Sequence, residues 1–395
     1  MINHRLLVKY RNAKDFVEKA VVFLQKHAKG MKVFCALSGG IDSSTTYLLL
    51  KKANIDTYPV FIDHGLMRII RGMEEREYIK NFFPDINILD IREQFLPEIY
   101  GEGDAEGKRK LFKKAYSDTI SRVIREEMCD LLADGTILPD IEESFGVTID
   151  DLKETMSIEE ELVLKNKNIK GFVKSQHNLE IEYDVEATVQ PVASLTKNQI
   201  REVLEFLQMP QELVYRKAFP GPALAARIVG PVTKENLEFE KVVHDIVEST
   251  VDDYYIEKFG RSMIINQKGE QEPFQIFAAT IEDVFNTKVT GIVDGKRIYE
   301  VPLIVKGNWD FEKLTRLASE IKGYARVFYE LTSNPKGQYD IVIRCVNSKD
   351  ARTATVTDLP WGILHEIEIK SLKIFETRNI YFDVTPKPPG TIEYV

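Results

Sequence analysis

The chain has 395 residues, 44% of them hydrophobic and 29% charged, with a formal net charge of −9. That length suits two or three domains around ordinary globular cores, and the acidic balance gives no support to nucleic-acid binding by bulk electrostatics. Cys35, Cys129 and Cys345 stand far apart without metal-ligand spacing, no HExxH pair occurs, and no apolar run approaches the ~18 residues that span a bilayer. A reduced, cytoplasmic enzyme with no signal peptide and no membrane segment is the expectation.

Taken in chain order, Phe16, Ala20 and Phe23 fall at helical spacing and predict an amphipathic helix over 14–28. The apolar run Val33-Phe34-Cys35-Ala36-Leu37 predicts a buried strand, and Thr45–Leu50 a helix after the polar turn that follows it. Residues 57–62 predict a strand ending in Asp63-His64-Gly65. Helix is then predicted over 74–83, strand over 86–89, a long helix over 110–127, and short strands at 130–133 and 172–174. Strands alternating with helices indicate a parallel, doubly wound sheet. Ligands of such sheets sit beyond the carboxyl ends of the strands. The turns Ser38–Ser43, Asp63–Gly65, Gly135-Thr136 and Lys174-Ser175 all fall at such ends. Residues 141–168 are rich in Glu and Asp and read as a solvated helical excursion or a mobile insert. After about residue 230 the texture turns β-rich, at 274–280, 288–294, 297–305, 325–331 and 340–346, with a hairpin at Val293-Asp294-Gly295-Lys296.

The turn Ser38-Gly39-Gly40-Ile41-Asp42-Ser43-Ser44 carries the most chemistry. A strand, a glycine turn and a helix start in line present unpaired N–H groups and a helix dipole to an anion. The glycines admit close approach of oxygen atoms, and three serines add hydroxyls. Asp42 among so many donors makes sense if a divalent cation bridges it to phosphate. The Walker pattern is absent.

This unit resembles the SGGxDS pyrophosphate loop of the N-type ATP pyrophosphatases, enzymes that cut ATP to AMP and pyrophosphate. Further stretches, in the right order, resemble the ATP-pyrophosphatase and dimerisation parts of GMP synthetase. They are FIDHGLMR at 61–68, Lys108-Arg109-Lys110, GTILPD at 135–140, KSQHN at 174–178, RKAFPGPALAARIVG at 216–230 and KPPGTIEY at 387–394. SGGIDSS alone is shared with NAD synthetases, argininosuccinate synthetases and tRNA-thiolating enzymes; the last two stretches are much narrower signals.

The resemblance implies an α/β fold. A doubly wound parallel sheet of the adenine-nucleotide α-hydrolase type would occupy 1–229, and a smaller α+β dimerisation and substrate-completing domain 230–395. It implies ATP and Mg²⁺ as cofactors, with Ser38, Gly39, Gly40, Ser43 and Ser44 on the pyrophosphate, Asp42 on the metal and Lys174 as a second cation. Asp63 and Arg68 would lie near the adenosine, and Gly135, Thr136 and Asp140 near the adenylate, although Asp140 also suits a helix cap. Lys108, Arg109 and Lys110 would form a mobile lid, or alternatively a solvated start to the long helix. Pro220, Gly221, Arg227, Arg344, Lys387, Thr391, Ile392 and Glu393 would receive an oxo-purine nucleotide, XMP first. For Arg344 the other reading is a surface strand arginine, and for the tail a purely structural role. Ammonia would come from solution or from a separate glutaminase subunit, since only about thirty residues precede the loop strand. A homodimer is implied, with no membrane or nucleic-acid partner.

The chain also departs from the family pattern. Asp134 stands where the pattern has an amide and Leu138 where it has an aromatic residue. Residues 176–182 lose two glycines and a histidine, Lys217-Ala218 replaces His-Pro, Val395 replaces a glutamate, and extra chain lies between Gly295 and Asp340. Positions handling ATP are kept better than those around the acceptor. Three alternatives therefore stand beside GMP synthesis: a paralogue aminating another oxo-ring, a sulfur-transfer enzyme, and a non-catalytic nucleotide-binding subunit. The absence of a CxxC pair speaks against sulfur transfer and the intact loop against a non-catalytic subunit.

Overall fold

The computed structural model describes residues 2–146, 148–152, 185, 187–217, 219–262, 264–265, 271–272, 274–293, 295–348 and 353–394. Its elements run β1 (Ile2–Arg5), α1 (Ala13–Ala28), β2 (Val33–Ala36), α2 (Ile41–Lys52), β3 (Thr57–Asp63), α3 (Glu75–Phe82), β4 (Asn87–Asp90), α4 (Arg92–Ile99), α5 (Ala105–Glu126), β5 (Leu131–Ala133), α6 (Leu138–Phe145), β6 (Ala187–Gln190) and α7 (Lys197–Phe206). They continue with β7 (Ile228–Val229), α8 (Lys234–Phe259), β8 (Phe274–Ile281), β9 (Val289–Val293), β10 (Lys296–Glu300), β11 (Leu303–Val305), α9 (Phe311–Glu320), β12 (Val327–Ser333), β13 (Tyr339–Asn347), β14 (Thr355–Val356), α10 (Trp361–Ser371) and β15 (Thr377–Asp383). Two compact units divide the chain. One holds Met1–Ile62, Ile79–Asp90 and Lys114–Arg216; the other holds Asp63–Tyr78, Ile91–Lys113 and Lys217–Val395.

The first unit is built on a six-stranded sheet of order β1-β6-β5-β2-β3-β4. β2 lies parallel to β3 on one side and to β5 on the other, and β5 and β1 both run parallel to β6. β2 is central and its Val33, Phe34 and Cys35 are fully buried, which is why it reads as one continuous apolar run. α1 starts at Asn12, whose side-chain oxygen accepts from the Asp15 N–H at 3.0 Å. It buries Phe16, Val17, Ala20 and Leu24 and packs on α2 and α7.

The second unit carries a mixed seven-stranded sheet of order β11-β12-β15-β13-β8-β7, with β14 paired to β13. α8 covers one face, where Val243, Val247, Val251 and Tyr255 meet Ile341, Ile343, Cys345, Ile380 and Phe382. The opposite face holds Phe277, Val342 and Tyr381 with Phe328 and Tyr394. Alternation along β13 puts Arg344 on that second face, opposite Phe277 of β8.

Where sequence pattern and structure differ, the reasons are local. The predicted helix at 110–127 begins earlier, at Ala105, so Lys108, Arg109 and Lys110 lie on a helix rather than in a loop. The 26-residue α8 falls in a stretch predicted to be β-rich. Its buried side carries Glu240, His244 and Glu248, and these polar residues break the apolar stripe by which an amphipathic helix is recognised. β1, β6, α4, α7, α9, α10 and β15 are further elements without a sequence expectation. The predicted strand at 172–174 and residues 153–168 of the acidic stretch lie outside the described residues; before them, α6 and a short 3₁₀ turn at Ile149–Asp151 occupy its start.

Two histidines of the second unit are buried as neutral groups. His64 sits edge-on to Phe95 and Phe112, with ring centroids 5.9 and 5.1 Å away, and burial pushes it down to about 3. His244 is pushed down to about 4 by burial and by the neighbouring Arg227, against the hydrogen bond it makes to Glu248. Unfolded histidine titrates near 6.5, so the unfolded chain takes up protons first as pH falls. The contribution of the two histidines is therefore expected to be full above about pH 6.5 and to decline until about pH 3, with His244 accounting for about 3 kcal/mol of the loss, complete by about pH 4. Urea unfolding at stepped pH checks this. His244→Gln, which keeps a donor and an acceptor, should flatten the slope over that window, and an unchanged slope would contradict the assignment.

Candidate active site

The glycine turn leaves β2 and enters α2 through two glycines that differ in kind. Gly39 has φ of +80°, and a Cβ there would lie 2.5 Å from Ile79 Cδ1 and 2.6 Å from Arg216 Nη1. Gly40 has φ of −68° and stands at the N-cap of α2 with no side-chain cap, so the first N–H groups of the helix have no capping side chain. Ser38 and Ser43 lie 3.1 Å apart through their hydroxyls, and the Ser43 hydroxyl donates to the Gly40 carbonyl at 3.1 Å. Among the described residues, the buried Ser44 hydroxyl has no hydrogen-bond partner. Asp42, in the first turn of α2, accepts at Oδ2 from Lys197 Nζ, while its Oδ1 is buried and has no hydrogen-bond partner among the described residues.

β5 delivers the second polar turn to the same place. A Cβ on Gly135 would lie 3.2 Å from both Asp42 C and Ser43 N, so a side chain there would push the two turns apart by a few tenths of an ångström. Thr136 donates to Asp134 Oδ2 at 2.8 Å, and Gln190 Nε2 donates to the same oxygen at 3.2 Å. Burial raises the Asp134 carboxyl above its usual range against those hydrogen bonds. Asp134 thus accepts two hydrogen bonds at one oxygen in the position where the family pattern has an amide. Asp140 accepts from the Ile137 N–H at 3.0 Å at the start of α6. It makes the capping contact that its sequence position also allowed.

In the second unit, Asp63 is 5% exposed, accepts from the Gly65 N–H at 3.0 Å and lies 3.3 Å from Arg76 Nη1. Arg68 is 3% exposed and donates through Nη1 to both oxygens of Glu248, at 2.7 and 2.8 Å. Burial alone would raise Glu248; Arg68, with His244 and Lys217, outweighs it and holds the carboxyl well below its usual range. Lys108 is 1% exposed and donates to the carbonyls of Ile228 at 2.6 Å and Gly230 at 2.8 Å. Burial pushes it down to about 8. That geometry corrects the expectation of a mobile loop at 108–110. Lys108 anchors the start of α5, Arg109 pairs with Glu106 one turn back at 3.4 Å, and Lys110 is exposed.

Phe219 lies between two cations of this unit, its ring 4.7 Å from the Arg68 guanidinium and 4.9 Å from that of Arg227. Pro220 and Gly221 follow it in a turn. Arg227 is 1% exposed, bonds His244 at 3.1 Å and lies 3.7 Å from Glu393 Oε2. Burial raises the Glu393 carboxyl against the opposing pull of Arg227, Arg326, Arg344 and Arg109. Arg344 is fully buried, so the surface-strand reading does not hold for it; it donates to the carbonyls of Thr385 and Thr391. Lys387 exchanges backbone hydrogen bonds with Ala354 at 2.8 and 3.0 Å. Ile392 packs against the cluster around Tyr394.

The predicted residues thus fall into two groups. Ser38, Gly39, Gly40, Asp42, Ser43, Ser44, Gly135 and Thr136 come together in the first unit. Arg227, Arg344, Thr391, Ile392 and Glu393 come together in the second. Lys174 lies outside the described residues. Two residues escaped the sequence reading. Lys197 follows the N-cap Thr196, and the Thr196–Gln199 capping pair is the signal that would have placed a helix start, and with it a cation, there. Arg326 sits at the entry to β12 with no local signal at all.

An uncapped helix start behind a glycine turn, at the carboxyl edge of a parallel sheet and beside a carboxylate with a free oxygen, defines a nucleotide-binding α/β protein. Likeness to known proteins narrows the class. Residues 336–394 match the family model described as the GMP synthase C terminal domain. One subunit of the glutamine-hydrolyzing GMP synthase of Sulfurisphaera tokodaii is 30% identical over 395 residues, covering 96% of this chain and 98% of that protein. The corresponding subunit from Methanothermobacter thermautotrophicus is 31% identical over 389 residues, covering 97% and 99%. Among solved structures, an NMN synthetase from Francisella tularensis overlaps 54% of this chain and 78% of its own at a TM-score of 0.35 and 14% identity, too loosely to argue from. The chain belongs to the GMP synthase family, alongside these subunits. Among the described residues, no helix is long and apolar enough to cross a membrane.

The two glycines of the turn give a paired test. Gly39→Ala forces an alanine into φ of +80°, a strain of about 1–2 kcal/mol. Gly40→Ala meets only Ser38 Oγ at an ordinary 3.6 Å and should leave stability within about 0.5 kcal/mol. Denaturant unfolding of both variants checks this, and equal losses would contradict the geometry of the turn.

Proposed function

We propose that this chain converts XMP to GMP at the expense of ATP, as the synthetase half of a two-subunit enzyme. The C2 carbonyl oxygen of the xanthine ring attacks the α-phosphorus of ATP, the bond to the β-phosphate breaks, and pyrophosphate leaves. Ammonia then adds at C2, the C2–O bond breaks, and AMP departs with that oxygen as the nitrogen loses its proton. Membership of the GMP synthase family supports the reaction. The single observation that supports the ATP half most is the uncapped start of α2 behind Gly39-Gly40. Ser38, Gly39, Gly40, Ser43 and Ser44 would bind the leaving pyrophosphate, where fixed donors stabilise charge developing in the transition state.

Magnesium suits this donor set, since Asp42 Oδ1 is a buried carboxylate oxygen that no described protein group satisfies. Asp42 would hold it, and the bound ion would neutralise phosphate charge. Lys197, on the other Asp42 oxygen, is available as a cation for the same phosphates, beside the role that resemblance gives to Lys174. Gly135 and Thr136 would border the adenylate. Asp63 would approach the adenosine, with Arg68 supporting that region through Glu248.

On the acceptor side, Phe219, Pro220 and Gly221 would meet the flat base, Glu393 would accept from ring N–H groups, and Lys387 would reach the 5′-phosphate. Arg227 and Arg344 would act on the acceptor through the tail. The domain division proposed is 1–229 for ATP cleavage and 230–395 for dimerisation and acceptor binding, with two copies in a C₂ homodimer.

The relatives' standing as one subunit of a glutamine-hydrolyzing enzyme supports a separate glutaminase partner as the source of ammonia. The test is pyrophosphate and GMP release by the purified chain with MgATP and XMP. Ammonium should support both products and glutamine alone neither. Efficient use of glutamine without a partner would contradict the two-subunit reading, and ATP cleavage stimulated by another oxo-ring compound but not by XMP would replace the acceptor.

A further inference from the structure

Arg326 lies between Gly295 and Asp340, at the entry to β12, and it is fully buried. Every nitrogen of its guanidinium is used. Nε donates to the Thr290 carbonyl at 2.9 Å, Nη1 to Asp383 Oδ2 at 2.8 Å, and Nη2 to the Glu393 carbonyl at 2.6 Å and to the Thr391 hydroxyl. The Tyr394 ring stacks over it, 4.2 Å from guanidinium carbon to ring centroid. One side chain therefore joins β9, the end of β15 and the last residues of the chain. The neighbouring strand β9 completes the clamp, with Thr290 Oγ1 donating to the Tyr394 carbonyl at 2.9 Å and Ile292 N–H to the Pro389 carbonyl at 2.6 Å.

Arg344 holds the other side of the same segment through the Thr391 carbonyl at 2.9 Å. Backbone carbonyls of Thr391, Glu393 and Tyr394 are thus all engaged, and the Glu393 side chain is left toward Arg227, 21% exposed. An unclamped C-terminal segment would lose this orientation, because the last residues of a chain are ordered only when tied down.

We infer that Arg326 is a positioning residue for the acceptor end of the site: it fixes the C-terminal tail so that Glu393 is preset for the acceptor nucleotide. This rests on the reading that the tail meets the acceptor. Presetting lowers the entropy lost on binding, so its removal should appear in acceptor affinity rather than in turnover.

The test uses the full chain with Arg326→Gln, in which Asp383 keeps Arg344 at 3.3 Å as a charge partner. Backbone hydrogen exchange over 387–394 should quicken at least tenfold while β15 keeps its protection. KM for XMP should rise at least tenfold, with KM for ATP and kcat at saturating XMP within twofold of the parent. Arg326→Lys, which keeps the charge but not the fork of donors, should recover only part of the XMP affinity. If Arg326→Gln does not fold, Arg326→Lys is read alone, with tail exchange and KM for XMP both expected to rise by a smaller factor and kcat to stay within twofold. Unchanged exchange in the tail overturns the inference. Faster tail exchange with an unchanged KM for XMP overturns instead the reading on which it rests, that the tail contacts the acceptor.

Discussion

A single buried carboxylate organises the second unit. Asp383 is fully excluded from solvent, yet it meets Arg326 at 2.8 Å and Arg344 at 3.3 Å and accepts from the Tyr394 hydroxyl at 2.9 Å and the Thr385 N–H at 2.9 Å. Burial alone would raise its pKa; the two arginines outweigh burial and hold it below the usual carboxylate range. Burying three charges is favourable only when each is fully hydrogen-bonded, and removing one partner of such a set typically costs about 3–5 kcal/mol. The geometry here nearly meets that condition. Strand β13 contributes Arg344, β15 contributes Asp383, the entry to β12 contributes Arg326 and the chain end contributes its carbonyls, so sheet and tail are tied at one point.

The two units use charge in opposite ways. In the first, the glycine turn keeps donors open: an uncapped helix, paired serines, and a carboxylate with one oxygen unsatisfied. In the second, cations are consumed by the fold. Arg68 is spent on Glu248, Arg227 on His244 and Glu393, Arg344 on tail carbonyls, and Lys108 on two carbonyls at the start of β7 and beyond it. A site for a polyanion needs the first arrangement.

This contrast explains what was legible in the sequence. The loop could be read because strand, glycine pair, serines and helix are contiguous, so local chemistry fixes their geometry. The buried arginines could not be sorted from ligand-binding ones, since a basic residue near a proline-glycine turn looks the same whether its partner is a phosphate or a carbonyl far along the chain. The parallel sheet of the first unit was evident from β2 and β3, while β1 and β6, short and polar in part, were not. α8 was hidden by its own buried Glu240, His244 and Glu248. Arg326 and Lys197 depend on long-range pairing, which spacing within a segment does not encode.

In the proposed reaction one oxygen atom passes from the acceptor ring to AMP. XMP labelled with ¹⁸O at the C2 carbonyl, turned over with MgATP and ammonium, tests that transfer directly by mass spectrometry of the products. One ¹⁸O is expected in the phosphate of each AMP formed and none in pyrophosphate. Label appearing in pyrophosphate, or unlabelled AMP accompanying GMP, would contradict adenylation of the ring oxygen and with it the mechanism assigned to this chain.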